Sequence, residues 1–264
     1  MKLLFLMLLA LPAYALDGRF AGTVKLSNCS GFVAQLPQHN DADRAWVLSN
    51  GHCERGFLGS MLVKPGEALV NRKKSRELQL VTSSGGLVSV RSTRLLYATM
   101  TGTDLAVYEL KETYGKLKDL GVVPFLLSEP PRVLDSVDVV SAYRDRIFSC
   151  SIDEVLVGSR EGGYAFVSPL RLTSECTNGD GTSGSPVVLA GTRHVVAISN
   201  SYNKQGFECS DNNPCEVDAN GVVEVRRGAR YAQQILPLVE CVEKGELKLT
   251  LTGCRLSRTG LLGL

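Results

Sequence analysis

The sequence predicts an all-β fold, and three observations carry that prediction. The apolar stretches are short and rich in Val, Leu and Thr. Gly, Ser, Asn and Pro separate them, at the spacing of strands and turns in a sandwich or barrel. With 264 residues, the chain is also long enough to bury one large core or two smaller ones.

The first group of predicted strands falls in the N-terminal part of the chain, which we assign to residues 16–118. The stretches that resemble strands are 30–36, 45–50, 77–81, 87–98 and 104–110. The segment 111–133, which follows the last of these stretches, contains Gly115, Pro124 and the pair Pro130-Pro131. Because these residues interrupt regular structure, we expect a surface linker over 119–133.

The second group of predicted strands belongs to residues 134–264. These strands are 136–144, 147–158, 164–172, 185–190 and 194–199. Further on, apolar residues recur at helical spacing within 229–245, at Tyr231, Ile235, Leu238, Val239 and Val242. We therefore expect two β units and a C-terminal α-helix.

The first fifteen residues differ in kind from the rest. One early lysine, an apolar run over 3–11, Pro12 and the small-x-small end at Ala15 are typical of a cleaved signal peptide. The run is too short to span a membrane, which takes about 20 apolar residues. We expect a mature chain that starts at Leu16 and is secreted, to the periplasm or the extracellular medium.

The overall charge gives no reason to expect nucleic acid or a membrane surface as a partner, since the formal net charge is +2. One basic cluster, NRKKSR at 71–76, is expected to be a solvated loop, with a substrate-steering surface as the alternative. We expect a monomer.

Eight cysteines all lie after the predicted signal peptide. An even number in an exported chain favours disulfides over thiol chemistry. No C-x-x-C pair occurs, which argues against zinc. We expect neither a metal nor a cofactor.

Three motifs carry candidate chemistry. His52 follows a predicted strand in VLSNGHC, where a neighbouring cysteine can hold a general base firmly. Asp104 opens the apolar strand of TDLAVYEL, where it can orient an imidazole. In GTSGSP, Ser183 and Ser185 are candidate nucleophiles, and the glycines leave backbone N–H groups available to a developing oxyanion.

Taken in the order His, Asp, Ser, the segments NCSGFVAQL, VLSNGHC, TDLAVYEL and GTSGSPVV resemble the chymotrypsin-like (trypsin-type) serine endopeptidases, and most closely their bacterial secreted branch. The resemblance implies two antiparallel six-stranded β-barrels and a peptide or protein substrate. It implies His52 as general base, Asp104 as its orienting group and Ser183 as nucleophile. The N–H groups of Gly181 and Ser183 would form the oxyanion hole, and Ser185 would be structural.

The resemblance also implies details of the surrounding structure. It pairs Cys29 with Cys53 and Cys150 with Cys176. Proximity in the sequence adds Cys209 with Cys215 and Cys241 with Cys254. The residues expected to bind substrate, by their place in the family pattern, are Thr177, Ser199, Asn200 and Ser201. Asp180 reaches the pocket only if that alignment slips.

Activation is expected to differ from that of the animal enzymes of this family. Those enzymes carry, just before the nucleophile, an Asp that pairs with a newly cut N-terminus. Here that position is Thr182, although Arg19-Phe20-Ala21-Gly22 resembles a cut site. A freed Phe20 amine would be buried unpaired, which is costly. We therefore expect neutral hydrogen bonds and Cys176 to hold the loop.

Two other classes compete with this prediction. An α/β-hydrolase would need G-x-S-x-G and the order Ser, Asp, His, and the sequence has neither. A catalytically silent, protease-like binding protein is the remaining alternative, because a fold alone does not define a function.

Overall fold

The computed structural model describes residues 17–56, 59–127 and 130–258. The predicted signal peptide, 1–15, and the predicted mature start, Leu16, lie outside the described residues. Within them, no helix has the length and apolar character needed to cross a membrane.

The first barrel is a closed, antiparallel ring of six strands in the order β1-β5-β6-β7-β3-β2, completed by pairing of β1 with β2. A seventh strand, β4, pairs with β6. The strand bounds are β1 Thr23–Lys25, β2 Ser30–Gln35, β3 Arg44–Ser49, β4 Ala68–Lys73, β5 Glu77–Val81, β6 Leu87–Thr99 and β7 Leu105–Thr113.

The second barrel is also a closed, antiparallel ring of six strands. Its order is β15-β14-β9-β10-β13-β18, and pairing of β15 with β18 completes it. The strand bounds are β9 Ser136–Ser141, β10 Arg146–Val155, β13 Leu170–Leu172, β14 Pro186–Leu189, β15 His194–Tyr202 and β18 Arg230–Gln234. The predicted all-β, two-barrel fold class is thereby confirmed.

The second barrel carries two insertions that together form a separate sheet in the order β12-β11-β16-β17. One insertion lies between β10 and β13, the other between β15 and β18. Their strands are β11 Gly158–Glu161, β12 Tyr164–Val167, β16 Cys215–Val217 and β17 Val223–Glu224. This extra sheet becomes important at the site, because the turn after β11 reaches the cleft between the barrels.

The segment between the barrels is more than a surface linker. A short helix, α1 (Tyr114–Asp119), is followed by strand β8 (Phe125–Leu127). Strand β8 pairs in parallel with both β2 and β15, and so joins the two barrels into one sheet path. Phe125 is buried and packs edge-on against Phe32. The expectation of a linker lying on the surface is therefore wrong for Phe125 and Leu127, which are buried, although Leu126 between them is exposed.

The C-terminal helix is present but much shorter than predicted. Helix α2 covers only Leu236–Val239, and it is followed by a small hairpin of β19 (Val242–Glu243) and β20 (Glu246–Leu247). Residues 230–234, which the helical spacing assigned to the helix, form strand β18 instead. Of the five apolar positions at helical spacing, only Tyr231 lies in this strand, so the spacing that predicted the helix came mostly from residues beyond it.

Apolar side chains fill both barrels and the space between them. Phe32, Phe125, Val195 and Ile198 belong to one cluster that runs across the junction. Burying a side chain of this size stabilises the fold by about 1.5–3 kcal/mol. The shared core therefore fixes the two barrels against each other, and with them the cleft between the barrels.

All four predicted cysteine pairs lie at disulfide-bonding distance. They are Cys29–Cys53, Cys150–Cys176, Cys209–Cys215 and Cys241–Cys254. The first pair ties the start of β2 to the residue that follows His52. The second ties β10 to the loop that leads to Ser183.

Candidate active site

His52 lies in a single 3-10 turn, Gly51–Cys53, directly after β3. The disulfide from Cys53 to Cys29 anchors the end of this turn. A side chain at Gly51 would overlap the carbonyl oxygen of Thr99, so only glycine allows the turn to pack this closely against β6. The imidazole is therefore held by the backbone on both sides of it.

Asp104 contacts His52 through both carboxylate oxygens. Oδ2 accepts a hydrogen bond from His52 Nδ1 at 2.6 Å, and Oδ1 accepts one from the His52 backbone N–H at 3.0 Å. The carboxylate is 1% exposed and the imidazole 17%. The two hydrogen bonds that His52 donates to this buried carboxylate fix the tautomer and the orientation of the imidazole, so that Nε2 faces the cleft as an acceptor.

Electrostatics at His52 favour the charged imidazolium. Burial alone would lower the pKa of His52, but the charge of Asp104 and its hydrogen bond raise it, and Glu161 adds to that effect. Arg55 acts in the opposite direction. The net pKa of His52 lies above its ordinary value, as suits a base that must hold a proton during a reaction.

Part of the basic cluster at 71–76 has a structural role that the sequence does not reveal. Glu54 is fully buried two residues after His52, and its carboxylate pairs with Lys74 Nζ at 2.9 Å and Arg76 Nη1 at 3.0 Å. The hydroxyl of Tyr108 also donates to Glu54. The expectation of a purely solvated loop is wrong for Lys74 and Arg76, which anchor the segment after His52.

Ser183 lies in the loop before β14, opposite His52. Its backbone carbonyl accepts the N–H of Ser30 at 2.7 Å, which links the loop to the first barrel. Gly184 adopts a positive φ of 83°, and a side chain there would overlap the carbonyl oxygen of Ser30 and the hydroxyl of Ser49. Glycine at 184 is therefore required for the close contact that presents Ser183 to the cleft.

The Ser183 hydroxyl donates to the carbonyl oxygen of Asn200 at 3.0 Å rather than to His52. The backbone N–H groups of Gly181 and Ser183 have no acceptor among the described residues. Ser185, by contrast, is fully buried, and its hydroxyl has no hydrogen-bond partner in the described part of the chain. Of the two serines in the motif, Ser183 is the one that reaches the cleft.

Hydrogen bonds hold the loop that carries Ser183 from beneath, and one of them runs from the Arg230 guanidinium to the backbone carbonyl of Asn178 at 2.8 Å. Thr182 is buried, and its hydroxyl donates to the carbonyl oxygen of Gly179 at 2.7 Å. The amide of Asn178 donates to the hydroxyl of Ser199 at 3.0 Å. Phe20, the residue after Arg19, is buried in a 3-10 turn and its N–H donates to the carbonyl of Asp17 at 2.9 Å.

A cleft of about 400 Å³ contains these groups. Of the residues predicted for the site, the cleft is lined by His52, Asp104, Ser183, Asn200 and Ser201. Three other predicted residues, Thr177, Gly181 and Ser199, do not line it. Thr177 is exposed directly after the disulfide at Cys176, and Ser199 is buried beneath the loop, in its bond with Asn178.

Several residues that line the cleft were not predicted, or, like Asp180, were expected there only if the alignment slipped. Asp180 does line the cleft, and so do Glu161, Tyr164, Tyr202 and Asp211. Except for Asp180 and Tyr202, they come from the extra sheet and the loop before β16. These insertions carry no motif, so only their position in the fold brings them to the site.

One group of potential metal ligands occurs among the described residues. The sulfur atoms of Cys29 and Cys53 and a ring nitrogen of His52 lie within 4.8 Å of one another. The two sulfurs are joined as a disulfide, and a metal would require thiolates. This donor set therefore does not fit a metal.

Comparison with solved structures places this geometry in a known fold. The chain is similar to the MamO protease domain from Magnetospirillum magneticum, with a TM-score of 0.51 and 12% identity, covering 85% of this chain and 97% of that one. It is also similar to Deg5, with a TM-score of 0.50 and 14% identity, covering 83% of this chain and 86% of that one. The fold is chymotrypsin-like. No family model and no curated protein sequence matches the chain.

Proposed function

We propose that the chain is a secreted serine endopeptidase that hydrolyses peptide bonds through His52, Asp104 and Ser183. One observation carries the proposal. A buried carboxylate orients an imidazole in the same cleft that Ser183 lines, and the backbone N–H groups of Ser183 and the nearby Gly181 have no acceptor among the described residues. Nucleophile, base, orienting group and anion donors are the parts that acyl transfer requires.

In this mechanism the substrate moves the Ser183 hydroxyl from Asn200 to His52. Rotation about the Cα–Cβ bond breaks only the neutral hydrogen bond to Asn200. In free enzymes, the hydrogen bond between nucleophile and base often aligns only when substrate binds. Nε2 then takes the hydroxyl proton while the oxygen attacks the scissile carbonyl carbon. Asp104 stays ionised and stabilises the imidazolium.

The tetrahedral intermediate collapses when His52 gives its proton to the leaving amine. The C–N bond breaks, and the acyl group remains on Ser183 as an ester. Water then attacks that ester while His52 takes one of its protons. The ester C–O bond breaks as His52 gives this proton to the Ser183 oxygen, which releases the acid and regenerates the hydroxyl. In both halves the N–H groups of Gly181 and Ser183 would stabilise the negative oxygen.

We propose that the active site forms without a cut that creates a new N-terminus. The side chains of Thr182 and Asn178 make neutral hydrogen bonds, and the Arg230 guanidinium donates to the backbone carbonyl of Asn178 at 2.8 Å, so these contacts hold the loop without an N-terminal ammonium group. The one acidic neighbour, Asp180, is exposed and pairs with Lys204. Loss of the signal peptide would then suffice to give a competent, monomeric enzyme.

The proposal is tested by hydrolysis of a fluorescently quenched mixture of peptides. Ser183→Ala should lower turnover to the residual level that binding and the oxyanion hole support, at least about 10³-fold below the parent chain. Ser185→Ala is the matched control, because it removes an unpaired buried hydroxyl from the same loop. A parent chain that binds peptides without cleaving them would identify the silent, protease-like alternative instead.

A further inference from the structure

Glu161 is the last residue of β11, at the turn that the extra sheet extends into the cleft. It lines the cleft together with His52 and Ser183. Its Oε1 accepts the backbone N–H of Asn212 at 2.9 Å, which fixes the carboxylate against the neighbouring insertion. A negative charge is thereby positioned at the wall of the substrate cleft.

No cationic side chain neutralises this charge. Among the described residues, none has a nitrogen within 4.0 Å of the Glu161 carboxylate. Two other carboxylates that line the cleft differ in this respect. Asp104 is bonded to His52, and Asp180 pairs with Lys204 Nζ at 2.9 Å. Glu161 is thus the cleft carboxylate that is anchored by a hydrogen bond and still lacks a counter-ion.

A second acidic residue lies beside Glu161. Gly162 has a positive φ of 55°, and a side chain there would overlap Oδ1 of Asp211. Glycine therefore allows the Asp211 carboxylate to pack against the turn, at the same wall of the cleft. Arg55, the cationic residue that also lines the described cleft, has its guanidinium bonded to the carbonyl of Gly59.

The surroundings of Glu161 make a cation favourable there. The pKa of Glu161 lies above its ordinary value, because burial and the charge of Asp104 raise it more than the hydrogen bonds from Ser201 and Asn212 and the charge of His52 lower it. A carboxylate withdrawn from water without a counter-ion is destabilised, and a guanidinium or ammonium group that enters the cleft relieves this cost.

We propose that Glu161 binds a basic side chain of the substrate, so that the enzyme selects peptides with Lys or Arg at one fixed position near the scissile bond. This inference rests on the proposed endopeptidase activity. Because Glu161 and Ser183 line one cleft of limited volume, the basic residue must lie within a few residues of the bond that is cleaved.

The test uses the whole mature chain and a peptide library in which each position around the scissile bond is varied in turn. We expect Lys and Arg to dominate at one position. Glu161→Gln keeps an acceptor for the Asn212 N–H and removes only the charge. It should lower kcat/KM for the best basic substrate by about tenfold or more. On the alkaline plateau of the pH profile, where His52 is neutral in both enzymes, kcat/KM for the peptide with norleucine in place of the basic residue should not change.

Glu208→Gln is the matched control, since Glu208 is exposed in a nearby loop and does not line the cleft. It should leave the ratio of basic to norleucine substrate unchanged. An active enzyme without basic preference, or an equal loss on both substrates in Glu161→Gln, would overturn the role of Glu161. If no peptide is cleaved, the proposed function fails. Titration of Ser183→Ala with the basic and norleucine peptides then still decides whether Glu161 binds a cation.

Discussion

The two sides of the cleft are held by different kinds of interaction. On the first barrel, His52 depends on charge, with the carboxylate of Asp104 against its ring and the ion pairs of Glu54 close behind. On the second barrel, Ser183 depends on glycine backbone and on neutral hydrogen bonds around Thr182. The comparison indicates that ion pairs hold the proposed base in place, whereas backbone conformation and hydrogen bonds to carbonyl oxygens hold the proposed nucleophile.

The largest effect should follow from removing charge on the His52 side. Asp104→Asn keeps the shape of the side chain but allows its amide to donate to Nδ1, which turns the imidazole into the wrong tautomer. We expect kcat to fall by about 10⁴-fold. The measurement is steady-state hydrolysis of a peptide substrate, with Asp138→Asn, outside the cleft on β9, as control. A fall of less than tenfold would remove Asp104 from the mechanism.

The next largest effect concerns stability on the same side. Glu54→Gln removes the charge that Lys74 and Arg76 share, and it should lower the free energy of unfolding by about 2–3 kcal/mol. Glu77→Gln is the control, because Glu77 pairs with Arg91 on the exposed surface at 3.4 Å. Exposed pairs contribute about 0–1 kcal/mol. Equal midpoints of urea unfolding for the two variants would show that the buried network does not anchor the His52 segment.

A smaller effect should appear in the acid limb of the pH profile. His52 must be neutral to act as base, and its pKa is raised by Asp104 and Glu161 and lowered by Arg55. Glu161→Gln removes a negative charge, so the pKa falls and the limb moves to lower pH. Arg55→Gln removes a positive charge and should move the limb to higher pH. Profiles of kcat/KM on an uncharged peptide measure both, and shifts in the same direction would contradict this account.

The smallest effect is expected at the N-terminus. Protein that starts at Leu16 and protein that starts at Phe20 should have equal kcat/KM, because the loop at Thr182 is held by neutral bonds and needs no ammonium group. Assays of both forms check this. Activity confined to the Phe20 form, and lost in Asp180→Asn, would instead show that a new N-terminus pairs with Asp180.

The two sides also differ in how far the sequence predicts them. His52, Asp104 and Ser183 are recognisable because glycine, cysteine and apolar residues flank them in fixed patterns. Glu161 and Asp211 lie in insertions without such a pattern, and only the pairing of β11 with β16 brings their loops to the cleft. The partners of Glu54 are similarly distant in sequence, at Lys74 and Arg76.

The fold, too, could be predicted from the sequence only in part. Short apolar runs and turn residues predict the strands, but apolar spacing in 229–245 could not distinguish a buried strand followed by one helical turn from a longer helix. Likewise, Pro124 and the prolines at 130 and 131 predict a break without indicating β8 between them. Its role depends on β2 and β15, which lie far away in the chain.

The central proposal is that His52, oriented by Asp104, activates Ser183 as a nucleophile. The most direct measurement is treatment of the mature chain with a fluorophosphonate, followed by mass spectrometry of its proteolytic peptides. We predict one adduct, on Ser183, that persists in Ser185→Ala and disappears in His52→Ala. An adduct on Ser185, or no adduct on a folded chain, would contradict the claim.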